Sequence, residues 1–334
     1  MVNNETYIKK ERLLASLFFQ ACLNENKVLE AYVPFALGKL CYRLMVRREW
    51  GEQVEKEVIQ STLFLNETDV YYQFGKANGH SKGTIILIHG FVSSCYCFRK
   101  IIPKLQKHYD VYAIDLPGFG RSGKRKDFEY SFHNYANVII SFCHLFRLTN
   151  VILVGHSMGG QVALYTALQE PNLISKMILM ASSGYLKRVR KPFVYASYLP
   201  FAKFVMRRWF EGRDYKQSLL QVVYNKKLID QATITEYTRP FSETQFFDAL
   251  LGLVRHREGD LSKEDLSHIH HPVLLIWGEE DQVIPIRIGR RLSVDLPNAV
   301  FTSFKKTGHL VPEEKPDQVT KLIFTFIENE KAVQ

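Results

Sequence analysis

From about residue 57 onward, short apolar runs alternate with longer stretches of mixed polarity. The runs at 85–88, 111–115, 151–154, 176–180, 273–277 and 299–304 are continuous rather than alternating. That is the pattern of strands buried on both faces. Helical periodicity between them predicts an α/β fold with a mostly parallel sheet and helices on both faces. Ahead of these, Glu57 to Leu65 and Val70 to Phe74 read as an opening antiparallel hairpin joined by Asn66-Glu67-Thr68-Asp69. Between the strand ending at Met180 and the one starting near Pro272 lie about ninety residues. A parallel crossover needs only about a dozen. The surplus predicts a helical cap over 184–268, inserted in a core made of 56–183 and 269–334. Residues 1–55 read as two or three amphipathic helices added in front: Leu13, Leu14, Leu17, Phe18 and Ala21 repeat on one helical face. Their apolar run is short and interrupted by Gln20, with Glu11 before it, which argues against a secretion signal.

Candidate chemistry starts at Gly155-His156-Ser157-Met158-Gly159, directly after Val151-Ile152-Leu153-Val154 and before a helical stretch from Gly160 to Leu168. A serine between glycines on a strand-to-helix turn is lifted clear of the sheet edge, with a helix N-terminus behind it. A serine hydroxyl is a weak nucleophile and needs a base, and the base needs a group to orient it. Asp281, in the turn after the strand Val273–Trp277, and His309, in the loop after Ala299–Phe304, emerge at the sheet edge where Ser157 stands. The expected catalytic set is therefore Ser157, Asp281 and His309. Glu279 and Glu280 are the rival acids, and His89 and His156 are expected to be hydrogen-bonded scaffold. The oxyanion hole is expected from the backbone N–H groups of Met158 and of Phe91, in the loop His89-Gly90-Phe91. Gly118-Phe119-Gly120-Arg121-Ser122-Gly123 spells a dinucleotide fingerprint, but it runs on into Lys124-Arg125-Lys126-Asp127 instead of opening a helix.

Together, His89-Gly90-Phe91, Asp115-Leu116-Pro117-Gly118-Phe119-Gly120-Arg121-Ser122, the serine pentapeptide with Gly160, Asp281 and Gly308-His309 resemble the α/β-hydrolase fold-1 esterases over about residues 57–330. Tyr198-Leu199-Pro200-Phe201 and Arg257-Glu258-Gly259-Asp260-Leu261-Ser262 further resemble uncharacterised bacillus hydrolases of the YugF type. The resemblance implies a Ser-His-Asp hydrolase. Because the family also holds lipases, thioesterases, C–C hydrolases and aminopeptidases, it leaves the substrate open. Dehalogenases and epoxide hydrolases of this fold would carry aspartate where this chain has Ser157.

Composition adds one feature. At 334 residues, with 46% hydrophobic and 13% aromatic residues, the chain is ordinary for a globular protein. Its net charge of +10 is uneven, however: Tyr185 to Lys227 holds eleven Lys or Arg, two acids (Glu211 and Asp214) and ten aromatics. Phe193, Tyr198, Phe201 and Trp209, with Phe91, are expected to bind substrate by lining an acyl pocket, leaving the cations to solvent. The alternative is that this face meets anionic membrane or takes an anionic substrate. No nucleic-acid motif accompanies the basic residues, and no nucleic-acid partner is expected. Five cysteines (Cys22, Cys41, Cys95, Cys97, Cys143) follow no disulfide or metal spacing, so free thiols in a reducing compartment are expected. The expected protein is a cytoplasmic serine esterase without cofactor or metal, acting on a small hydrophobic ester; peripheral membrane contact is the alternative location. The same triad also suits a thioesterase or C–C bond hydrolase, and the fold alone would suit a non-catalytic binding protein.

Overall fold

Every apolar run becomes a strand of one sheet in the computed structural model, which describes residues 58–329. The helices expected over 1–55, with Cys22 and Cys41, lie outside the described residues. The strands are β1 (Ile59–Leu65), β2 (Thr68–Gly75), β3 (Thr84–Ile88), β4 (Asp110–Ile114), β5 (Val151–His156), β6 (Ile174–Met180), β7 (Val273–Gly278) and β8 (Ala299–Phe304). Their order is β1-β2-β4-β3-β5-β6-β7-β8. β1 with β2 and β2 with β4 pair antiparallel; every other pairing is parallel. All residues of β5 and β7 are buried. Since successive side chains point to opposite faces, both faces of the sheet are covered there.

The opening hairpin is tighter than its sequence suggested. Thr68 and Asp69 belong to β2, leaving only Asn66 and Glu67 in the turn, both with positive φ (49° and 63°). Two consecutive left-handed residues match the right-handed twist of the strands they join.

Helices α1 (Ile102–Leu105), α2 (Phe132–Phe146) and α3 (Met158–Gln169) alternate with the first strands. Ser131 caps α2 by accepting from Asn134 N (3.1 Å), and Arg147, in the left-handed region, ends it. Between β6 and β7 come α4 (Lys191–Ala196), α5 (Ala202–Glu211), α6 (Tyr215–Val222), α7 (Gln231–Thr238), α8 (Thr244–His256) and α9 (Lys263–Ser267). α8 roots this insertion: Phe246, Phe247 and Leu250 are buried in the same apolar cluster as the sheet. A smaller cluster of Val223, Ile229 and Leu310 joins the insertion to the loop after β8. The chain closes with α10 (Ile286–Asp295), α11 (Val311–Glu314) and α12 (Pro316–Glu328).

Parallel register decides where the chemistry can sit. His156 at the end of β5 is level with Met180, Met180 with Ile276, and Gly278 at the end of β7 with Phe304. The loops after β5, β7 and β8 therefore leave the sheet along one edge.

Candidate active site

Ser157 stands between β5 and α3 with φ 55° and ψ −121°, a conformation that a non-glycine residue holds only under constraint. The constraint is visible in its hydrogen bonds. Its N–H donates to the Met180 carbonyl (3.0 Å), and its carbonyl accepts from Gly160 (2.9 Å) and Ser183 (3.0 Å). The turn also needs close backbone approach. A Cβ on Gly159 would stand 2.6 Å from the His89 carbonyl oxygen and closer still to that of Ile88, while one on Gly90 would stand 2.8 Å from Ser157 Cβ.

The sheet edge brings the three expected residues together. His309 Nε2 lies 3.1 Å from Ser157 Oγ, and His309 Nδ1 lies 2.8 Å from Asp281 Oδ2. The second carboxylate oxygen of Asp281 accepts from the N–H groups of Val283 (2.8 Å) and Ile284 (2.9 Å), which fixes the plane of the carboxylate. With Asp281 accepting, His309 carries its proton on Nδ1 and turns the lone pair of Nε2 to the serine. The rival acids are turned elsewhere: Glu280 accepts from Thr307 N (2.8 Å) and Glu279 from the Ser303 hydroxyl (3.0 Å).

His89 and His156 are buried and tied to backbone. Nε2 of His89 accepts from Leu116 N (2.9 Å), so its Nδ1–H donates to the Gly90 carbonyl (2.7 Å). Anchoring that carbonyl fixes its peptide plane, and with it the direction of the Phe91 N–H on the opposite edge. The next residue, Val92, has φ 50°, a second strained backbone position beside the serine. His156 donates from Nε2 to the His309 carbonyl (2.9 Å). Burial, reinforced by the neighbouring His309 ring, pushes its pKa down to about 3.

A family model for the alpha/beta hydrolase fold matches residues 83–222. The uncharacterized hydrolase YugF of Bacillus subtilis is 45% identical over 259 residues, which cover 78% of this chain and 94% of that protein. The chain belongs to the α/β-hydrolase family. A 2-hydroxy-6-oxononadienedioate/2-hydroxy-6-oxononatrienedioate hydrolase of Paraburkholderia phymatum is 27% identical over 269 residues, covering 75% of this chain and 88% of that one. Among solved structures, the epoxide hydrolase CorEH shares the fold with TM-score 0.65 at 21% identity, covering 81% of this chain and 99% of that one.

In this α/β hydrolase the serine opens into a cavity of about 250 Å³ whose wall is mainly apolar. Phe91 lines it, as its sequence position suggested. Phe193, Tyr198, Phe201 and Trp209 do not. They are 63%, 62%, 73% and 55% exposed: α4 turns Phe193 outward and α5 Trp209, while Tyr198 and Phe201 stand in the link between the two helices. The aromatics that the insertion gives to the cavity are Tyr215, Tyr237 and Phe241, from α6, α7 and the turn after it. Tyr215 and Phe241 stack with ring centroids 4.4 Å apart. Among the described residues, no group of three His, Cys, Asp or Glu is placed to hold a metal.

The fingerprint-like glycines serve the scaffold. Their loop wraps the Asp115 carboxylate, which accepts from Cys95 N (2.6 Å) and Arg121 N (2.7 Å), and a Cβ on Gly120 would collide with it. The next helix, α2, starts only at Phe132.

Two acids that motif reading missed hold the histidine loop in place. Glu314, its pKa raised by burial, accepts from Gly308 N (2.7 Å) and from Tyr224 N and Asn225 N (2.9 Å each). It thereby clasps the loop to the end of α6, and His309 N donates to the Val222 carbonyl (2.8 Å) beside it. Glu313, buried, accepts from Arg99 and from the Tyr237 hydroxyl. Their only sequence signal is position, since both follow the histidine by a turn of chain.

Neutral burial of His156 has a consequence for stability. Its folded pKa is depressed, so the unfolded chain binds a proton that the native state refuses, and stability is lost as pH falls below the unfolded value of about 6.5. Between pH 7 and 5 this histidine alone should cost about 2 kcal/mol. Urea unfolding of His156→Asn should show a shallower loss over that interval; an identical slope would contradict the assignment.

Proposed function

We propose that this α/β hydrolase is a serine esterase that cleaves a carboxylic ester with a hydrophobic acyl group. What carries the reading is the hydrogen-bonded line Asp281–His309–Ser157 opening into an apolar cavity. Ser157 Oγ attacks the ester carbonyl as its proton passes to His309 Nε2, and Asp281 stabilises the resulting imidazolium. The N–H groups of Phe91 and Met158 hold the oxyanion. Collapse expels the alcohol, which takes the proton from Nε2. Water, deprotonated by the same nitrogen, then attacks the acyl-enzyme and releases the carboxylate, and the proton returns to Ser157.

The cavity wall favours an ester over the dioate named for the Paraburkholderia relative. A dioate carries two carboxylates, and no Lys or Arg among the described residues lines the cavity. Burying a carboxylate there without a partner would be costly. A thioester would meet the same groups, so thioester and oxygen-ester substrates of equal chain length should be compared directly.

A series of p-nitrophenyl esters tests the acyl preference. Each methylene that enters the wall formed by Tyr215, Leu219, Phe241 and their neighbours should add about 0.8 kcal/mol of binding, roughly fourfold in kcat/KM, until the cavity is full. Acetate turned over best would exclude a hydrophobic acyl site. A fluorophosphonate probe should add its mass to Ser157, and a protein that stays unlabelled would instead be a non-catalytic scaffold. To assign the acid, Asp281→Asn should lower kcat by about 10³- to 10⁴-fold, while Glu279→Gln and Glu280→Gln stay within about tenfold of the parent. A larger loss at Glu280 than at Asp281 would move the acid.

A further inference from the structure

We propose that the outer face of α4 and α5 docks this protein on an anionic lipid bilayer. α5 is apolar on both sides. Met206 and Phe210 pack against the core and Lys203 pairs inward with Asp248 (2.6 Å). At helical spacing on the opposite side stand Phe201, Phe204, Val205 and Trp209, all more than half exposed. A surface helix normally turns polar residues to solvent. The exposed face continues through Leu199 and Phe193 of the preceding turn and α4. Large apolar side chains exposed together on one helix face, with the exposed Arg208 among them, mark an interaction site.

Charge decides the occupant. Lys187, Arg188 and Arg190 lead into α4 and Lys191 opens it, and none of the four is ion-paired with an acid among the described residues. At the other end, the Arg213 guanidinium lies 3.6 Å from the Trp209 ring centroid, which keeps a cation beside the exposed indole. Glu211 and Asp214 are the segment's two acids: Glu211 is taken up by Arg207 and Arg208, and Asp214 caps α6. An unpaired basic fringe around Trp, Phe and aliphatic side chains matches a negatively charged headgroup layer, where the apolar face enters the acyl boundary and the cations meet phosphate. No helix among the described residues is long and apolar enough to cross a membrane, so the contact is a face laid on the surface. Phe210, on the inner side of α5, stacks with Phe241 of the cavity wall (5.2 Å), so the docked helix also borders the cavity. Lipid binding of this kind needs no ester chemistry and stands apart from it.

The test is sedimentation of the full-length protein with vesicles of phosphatidylglycerol and phosphatidylcholine, compared with pure phosphatidylcholine. Partition should favour the anionic vesicles and fall at least about tenfold from low to high sodium chloride. The double variants Arg190→Glu/Lys191→Glu and Phe204→Ser/Val205→Ser should each lower partition at least about tenfold without shifting the thermal unfolding midpoint by more than about 2 °C. Anionic vesicles should shift the tryptophan emission to the blue. Trp209→Phe, made in a Trp50→Phe background so that Trp277, already buried, is the remaining tryptophan, should abolish that shift. If a double variant fails to fold, the lipid preference, salt dependence and Trp209 signal of the parent carry the test. Equal partition onto both vesicle types, or none, would overturn the proposal. So would a dimer that Phe204→Ser/Val205→Ser dissociates, which would give the face to a second copy. Trp209 already shielded from acrylamide in the free protein would give it to residues 1–57.

Discussion

Ser157→Ala should lower kcat for a p-nitrophenyl ester by about 10⁴- to 10⁶-fold while leaving the unfolding midpoint within a few degrees of the parent. The substitution removes one oxygen. The backbone bonds that hold the strained turn, from Ser157 N to Met180 and from Gly160 and Ser183 to Ser157 O, involve no side-chain atom of Ser157 and persist in the variant. The carbonyl then has no nucleophile 3.1 Å from His309 Nε2, and that histidine can act only on water. The proposed donors, the N–H groups of Phe91 and Met158, would still polarise a bound ester, which sets the expected floor above the uncatalysed rate. Retention of more than about a hundredth of parental kcat would remove Ser157 from the chemistry. His309→Ala should be of the same severity, because the losses of groups that act as one unit do not add.

Gly159→Ala should be strongly destabilising, although it adds a single methyl group. Ala ordinarily favours a helix over Gly by up to about 1 kcal/mol, and Gly159 lies in the first turn of α3, so propensity alone predicts stabilisation. Packing reverses the sign. The added Cβ would meet the carbonyl oxygens of Ile88 and His89, both backbone atoms at the end of β3 and the start of the loop carrying Phe91. Neither can rotate away, so α3 and β3 must separate and take Ser157 and the Phe91 N–H out of register. A loss of about 3 kcal/mol or more is expected, seen as a fall of several degrees in the unfolding midpoint, together with a drop in ester hydrolysis. An alanine variant as stable as the parent would mean that the elbow has more room than the geometry gives it.

Strand positions were legible because each central strand is apolar on both faces, so its run appears without knowledge of what covers it. Ser157, Asp281 and His309 could be read for a related reason: each follows a strand, and parallel strands deliver their following loops to one edge. The hairpin turn was misjudged by two residues. Thr68 and Asp69 are turn formers by composition, but ladder bonds to Phe64 and Leu65 hold them in β2. The glycine fingerprint could be set aside because no helix follows it in the sequence. That its loop instead wraps Asp115 depends on contacts to Cys95, twenty residues upstream.

The insertion is where sequence ran out. Its aromatics are equally visible along the chain, yet Tyr215, Tyr237 and Phe241 face the cavity while Phe193, Tyr198, Phe201 and Trp209 face outward. α5 is apolar on two sides, so periodicity names two candidate inner faces and cannot choose between them. The choice falls to non-local packing, with Phe210 against Phe241 and Phe247, and Lys203 against Asp248. Glu314 is similar: an ordinary acid until the end of α6 arrives beside it to share its carboxylate with Gly308. The sequence by itself determined the sheet, the edge and the three residues placed there, because strand burial and loop order are local properties of the chain. Which side chains shape the cavity, and which acids brace the histidine loop, only the tertiary structure decided, because those roles depend on contacts between segments far apart in sequence.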